Sequence, residues 1–123
     1  MAEQVISWFE IPAADFDRAV KFYKKVLGHE LQVVEMGPAK MGMFPAEPPS
    51  TGGAVVRAEG YSPGDRGTMV YFYVGDDLSD ALKRVEPAGG KVVVPKTLIS
   101  EDHGYFAVFK DTEGNKVGLH SRH

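Results

Sequence analysis

Apolar and polar residues alternate along this chain in two rhythms, and the switch between them marks out its elements. Residues Val5 to Ile11 are apolar at short spacing and stop at Pro12, which predicts a strand. Asp15 follows as a candidate helix N-cap, its carboxylate placed to accept a free backbone N–H. Phe16, Ala19, Val20, Tyr23, Val26 and Leu27 then fall at the i, i+3, i+4, i+7 spacing of a helix with one buried face. Gly28 is placed to end that helix, and Leu31, Val33 and Val34 begin a second strand.

A shift of 62 residues repeats the plan. Val70 to Val74 predict a strand, Asp77 an N-cap, and Leu78, Ala81, Leu82, Val85 and Ala88 a helical stripe. Gly89-Gly90 ends the stripe and Val92-Val93-Val94 opens a strand. Asp15 matches Asp77, Phe16 matches Leu78, Ala19 matches Ala81 and Gly28 matches Gly90, so caps and stripe coincide without gaps. Shorter strands are expected at about 41–45 and 53–58 in the first half, and at about 96–100, 105–110 and 116–120 in the second. The last two flank Asp111-Thr112-Glu113-Gly114-Asn115, a polar turn that makes them a hairpin. The pattern predicts one α+β domain over 1–123: a first module at about 4–58, a linker at about 59–67 and a second module at about 68–121. The Gly/Pro-rich linker and the Ala46–Thr51 stretch are candidate pocket rims.

Composition narrows the chemistry. The chain has 123 residues and no cysteine, so disulfides, thiolate-bound zinc and thiol catalysis are out. Net charge is −3, and no run of Lys or Arg exceeds a pair such as Lys24-Lys25, which argues against nucleic acid. No apolar run approaches the roughly 20 residues of a membrane span. Met1-Ala2-Glu3-Gln4 shows no basic stretch leading into an apolar one, so no secretory signal is predicted and the expected setting is the cytoplasm.

Trp8-Phe9-Glu10-Ile11, Asp15-Phe16-Asp17-Arg18-Ala19, Phe22-Tyr23, Leu27-Gly28 and the closing Asp111-Thr112-Glu113-Gly114-Asn115-Lys116-Val117-Gly118-Leu119-His120 together resemble the vicinal oxygen chelate superfamily, the glyoxalase I, bleomycin-resistance and extradiol-dioxygenase group. The resemblance covers nearly the whole chain. It implies two βαβββ modules whose curved mixed sheets enclose a cavity, and a plausible homodimer. In metal-binding members the ligands come from set strand positions. Those positions fall here at Trp8, at Val70 or Met69, near Gly53-Ala54-Val55, and at Gly118, none of which supplies an imidazole or carboxylate. The expectation is therefore no metal, no other cofactor, and neither glyoxalase I activity nor metal-dependent ring cleavage.

By the same resemblance Trp8 and Glu10 face the cavity, as do Gly118 and His120 on the last strand. The expected ligand-binding set is Trp8, Glu10, Phe72, Met43 and His120, an aromatic wall with few polar groups. Glu10 is the candidate catalytic residue, a base or a ligand-orienting carboxylate; the alternative is a carboxylate bonded to a loop or to Arg57. Glu101-Asp102-His103 reads as a loop tip and His29 as a surface residue. The leading expectation is a small-molecule-binding protein for an apolar or aromatic ligand. The alternatives are a glyoxalase-like lyase or isomerase using Glu10 or an atypical metal site, and a protein-interaction module with a filled cavity.

Overall fold

A computed structural model describes residues 5–123. The Met1–Gln4 stretch, and with it the reading that it carries no signal, lies outside the described residues. The elements are β1 (Trp8–Pro12), α1 (Phe16–Leu27), β2 (Gln32–Met36), β3 (Ala39–Met43), β4 (Gly52–Arg57), β5 (Tyr71–Tyr73), α2 (Ser79–Val85), β6 (Lys91–Ser100), β7 (Gly104–Lys110) and β8 (Lys116–Ser121). They form two mixed four-stranded sheets, ordered β1-β4-β3-β2 and β5-β8-β7-β6. In each the first strand of the half pairs in parallel with its last. This is the expected α+β architecture, with the same plan used twice.

The first helix starts and stops as its sequence dictates. Asp15 is extended and its carboxylate accepts from the Arg18 N–H at 3.1 Å. Gly28 takes a left-handed conformation, φ 77°, and its N–H closes on the Lys24 carbonyl. The second helix departs from expectation at both ends. Asp77 is not its N-cap: α2 begins one residue later, and the Asp77 carboxylate instead accepts from the Ser79 N–H and pairs with Lys96. The helix ends at Val85 rather than reaching Ala88, because Pro87 has no N–H to continue the ladder.

Two strand expectations also change. The opening strand begins at Trp8, where its parallel pairing with Gly52 begins; just ahead of it the Ile6 carbonyl accepts from the Thr51 hydroxyl at 3.0 Å. The stretches at 92–94 and 96–100 are one strand, β6, with register shifts around Pro95. β6 lies at a sheet edge, where a proline costs no ladder bond.

Helices cover one face of the sheets. Phe16, Ala19, Phe22, Tyr23 and Val26 of α1 join Leu78, Ala81 and Val85 with Ile11, Val55, Ala107, Phe109, Val117 and Leu119 from the strands. The matched pairs Phe16/Leu78 and Ala19/Ala81 are all buried, as the repeat requires. Phe9 of β1 and Phe72 of β5 meet edge to face at 5.6 Å, and both rings contact Phe44. The first strands of the two halves therefore come together on the helix-covered side.

The 111–115 turn fastens one half to the other. The Glu113 side chain is 0% exposed. It accepts from the N–H groups of Ala14 (2.9 Å) and Asp15 (2.7 Å), from the Arg18 guanidinium (2.7 and 3.1 Å) and from the Thr112 hydroxyl (2.9 Å). Asp111 accepts from the buried Tyr23 hydroxyl at 2.7 Å and from Asn115, whose amide also donates to the Pro12 carbonyl. Burial opposes the charge on Glu113, but the bonds from Arg18, Asp15 and Thr112 outweigh it and hold the carboxyl below its ordinary pKa. Burial, then the Asp111 charge and hydrogen bond, raise the Tyr23 phenol well above its usual value, so it stays a donor.

Glu113→Ala is expected to cost about 2–3 kcal/mol in urea unfolding, since it strands several covered donors at once. The native pKa of Glu113 lies below its unfolded value. Its contribution is thus complete above the unfolded pKa, about 4.3, and is lost as pH falls through the native one. Wild type should lose more stability than Glu113→Gln on going from about pH 5 to about pH 3, read from paired urea titrations.

Candidate ligand-binding site

Strand alternation leaves the other face of each sheet free of helices. In the first sheet the register carries a row Glu10–Ala54–Met43–Gln32 across β1, β4, β3 and β2, with Trp8 beside Gly52 in the next row. In the second it carries Tyr73–His120–Phe106–Thr97, with Tyr71 beside Gly118 and Val108 in the next row. Ala54, Val56 and Val108 are buried on this face. Trp8 (39%), Tyr71 (49%) and Tyr73 (58%) are exposed to a degree unusual for aromatic residues in strands.

The second half of this face contains an open depression of about 400 Å³, lined by Tyr71, Tyr73, Ile99, Phe106 and His120. The Tyr73 and His120 rings lie 5.5 Å apart. His120 Nε2 sits 2.6 Å from the His103 carbonyl. A carbonyl only accepts, so the contact places the imidazole proton on Nε2 and leaves Nδ1 as the acceptor in the neutral ring. His103 Nδ1 in turn lies 2.9 Å from the Ser100 hydroxyl, closing the loop that holds one end of the depression.

The first half presents a different group. Trp8 Nε1–H donates to Glu10 Oε2 at 3.2 Å, and the Tyr61 hydroxyl donates to Glu10 Oε1 at 2.8 Å. The hydrogen bond to Glu10, then its charge, raises the Tyr61 phenol pKa. Tyr61 lies in the linker, so the loop partner anticipated for Glu10 is this residue rather than Arg57. Two further contacts hold the linker: the Gly64 N–H donates to Asn115 Oδ1 at 3.0 Å, and Asp65 pairs with Lys110 at 3.1 Å.

Of the five residues expected to line one cavity, His120 lines the depression, while Trp8, Glu10 and Met43 share the open face of the first sheet. Phe72 does not belong with them. Its ring packs against Phe9, Tyr23 and Phe44 on the helix side. The error is a one-residue slip. The helices repeat at the spacing that matches Phe16 with Leu78, but the opening strands repeat one residue further on, so Phe9 matches Phe72 and Trp8 matches Tyr71. With a period of two, one residue exchanges the faces. Tyr71 and Tyr73 rather than Phe72 therefore face the open side, and Tyr71 rather than Val70 or Met69 matches Trp8.

Paired glycines give the correct match. A Cβ on Gly52 would lie 3.0 Å from the Trp8 ring. One on Gly118 would collide with the Tyr71 ring. In both sheets an aromatic ring lies across a glycine of the parallel strand, and the Tyr71 ring fills the space above Gly118. The matched strand positions thus carry an indole, at Trp8, and a phenol, at Tyr71, each lying across a glycine, Gly52 or Gly118. Among the described residues no group of three His, Cys, Asp or Glu could hold a metal ion.

A sequence profile described as the glyoxalase/bleomycin resistance protein/dioxygenase superfamily matches residues 5–119. The chain belongs to this superfamily. A glyoxylase-like domain-containing protein from Didymella fabae is 34% identical over 122 residues, covering 95% of this chain and 93% of that protein. A superfamily member from Albidiferax ferrireducens T118, a glyoxalase/bleomycin resistance protein, superposes with a TM-score of 0.74 at 20% identity, over 98% of this chain and 100% of that one. TnmS3, an antibiotic binding protein from Streptomyces sp. CB03234, gives 0.69 at 25% identity over 98% of both chains. No helix among the described residues is long and apolar enough to cross a membrane.

Three glycine-to-alanine variants separate the two faces. A Cβ on Gly53 would collide with the Phe9 ring, which is fixed against Phe44 and Phe72. Gly53→Ala should therefore cost about 2–3 kcal/mol. Gly118→Ala meets a half-exposed ring that can swing out, and should cost about 1 kcal/mol or less. Gly52→Ala, with the loosest contact, should cost least. Urea midpoints in any other order would contradict this assignment of faces.

Proposed function

We propose that this protein binds a small aromatic or apolar molecule on the helix-free face of its sheets, without a metal or other cofactor. The observation that carries the reading is the depression walled by Tyr71, Tyr73, Phe106 and Ile99, where large rings stay exposed on strands that could have buried them. Trp8, Glu10 and Met43 extend the surface on the first sheet, and His120 supplies a fixed polar group. The donor set supports independence from metal: indole and glycine offer a divalent cation nothing to bind, and the neutral phenol of Tyr71 is one weak oxygen donor where a site needs several. The antibiotic-binding role of TnmS3 supports a binding rather than a catalytic function. In this reading the protein works in the cytoplasm and as a homodimer.

The chain has one tryptophan, Trp8. A ligand on this face should raise the melting temperature and shift Trp8 emission, the first through preferential binding to the folded state. Tyr73→Ala, which removes an exposed ring, should weaken that ligand about tenfold with little change in stability. A broad aromatic and metabolite screen that yields no stabilising compound would sink the reading and favour a protein-interaction module. Turnover that disappears in Glu10→Gln would favour the lyase or isomerase alternative.

A further inference from the structure

The open face of the second sheet ends in a row of like charges. Lys110 of β7 lies directly opposite Lys116 of β8 and directly opposite Lys91 of β6. Alternation along β7 puts Lys110 on the side of Phe106 and Val108, and the side of Phe109 and Ala107 faces the core. Cross-strand neighbours have Cβ atoms about 5 Å apart, and like charges directly opposite are destabilising. The chain as a whole is acidic, at −3, so three adjacent lysines run against its overall charge.

Neutralisation of this row is incomplete. Lys110 pairs with Asp65 of the linker at 3.1 Å. Among the described residues neither Lys91 nor Lys116 is in an ion pair; the others join Arg18 to Glu113, Lys24 to Glu30 and Lys96 to Asp77. Arg66 adjoins Asp65 and adds positive charge beside it. The one carboxylate in an ion pair with the row is exposed and belongs to a loop, which leaves Lys91 and Lys116 unpaired among the described residues.

The row is also close to the depression. Lys110 is two residues beyond Val108, and Lys116 two residues before Gly118, so the ammonium-bearing row starts about 7 Å along the strands from the row that holds Tyr71. A lysine stem reaches across such a gap with its apolar part on the sheet.

We infer that the ligand is an aromatic anion, its ring seated against Tyr71, Tyr73 and Phe106 and its carboxylate or phosphate received by Lys110 and Lys116, with Asp65 holding the anion's place until it arrives. This rests on the aromatic-ligand reading above. It adds a charge requirement and a competitor built into the linker.

Calorimetric titration with 2-naphthoate, 2-naphthyl phosphate and the neutral 2-naphthalenemethanol separates the ring from the charge. The two anions should bind at least about tenfold more tightly than the alcohol, and added salt should erode that advantage. Lys110→Gln with Lys116→Gln should abolish the preference and leave the alcohol's affinity unchanged. Asp65→Asn should move the anions the other way, several-fold tighter. Equal binding of alcohol and anions, or a preference that survives the double lysine substitution, overturns the inference while sparing the aromatic reading. If none of the three binds, the aromatic reading fails. Inorganic phosphate then tests the lysine row alone: stabilisation that depends on Lys110 and Lys116 keeps the anion site, and its absence removes that as well.

Discussion

The buried carboxylate of Glu113 is the constraint on which the arrangement of the two halves depends. A charge fully removed from water must find donors, and four of its five hydrogen bonds come from Ala14, Asp15 and Arg18 in the other half of the chain. The donors are the free N–H groups where α1 begins, which that helix cannot satisfy by itself. A turn in the last hairpin thus fixes the start of the first helix. Asp111 and Asn115 extend the same fastening to Tyr23 and Pro12. Once the turn is seated, little freedom remains in how the second sheet meets the first.

That seating brings Phe9 against Phe72 and closes the helix side of the sheets around an aromatic seam with Tyr23 and Phe44. Alternation does the rest. If Phe9 and Phe72 point inward, then Trp8, Glu10, Tyr71 and Tyr73 must point away from the helices. The candidate site is therefore a consequence of core packing: the same strands that complete the core present a second surface, which none of the described elements fully covers. The linker partly spans it, held by Tyr61 to Glu10 and by Asp65 to Lys110.

Much of this was legible in the sequence. The stripe from Phe16 to Val26 and its echo from Leu78 to Val85 gave helices in the right places, because burial of one helix face imposes a period that few other arrangements produce. Gly28 and the Asp111–Asn115 turn were also read correctly, since their backbone demands are local. The face assignment on β5 failed for a physical reason. Three residues, Tyr71–Tyr73, are too few for alternation to show which side is buried, and the repeat that fits the helices is one residue out for the strands. Trp8, Glu10, Met43 and His120 stand on the helix-free faces, whereas Phe72 packs into the core and Tyr71 and Tyr73 take the open side of β5.

The sequence by itself determined the element types, the duplication and the superfamily resemblance. These follow from short-range spacing and from residue chemistry, which need no knowledge of distant partners. Only the tertiary structure decided which residues meet. Lys91, Lys110 and Lys116 are scattered along the chain, and only sheet register sets them side by side. Glu113 looks like an ordinary turn residue until the first helix supplies its donors. Tyr61 sits in a stretch with no pattern at all, yet its hydroxyl reaches Glu10. Contacts of this kind join residues far apart in sequence, so no local rhythm records them.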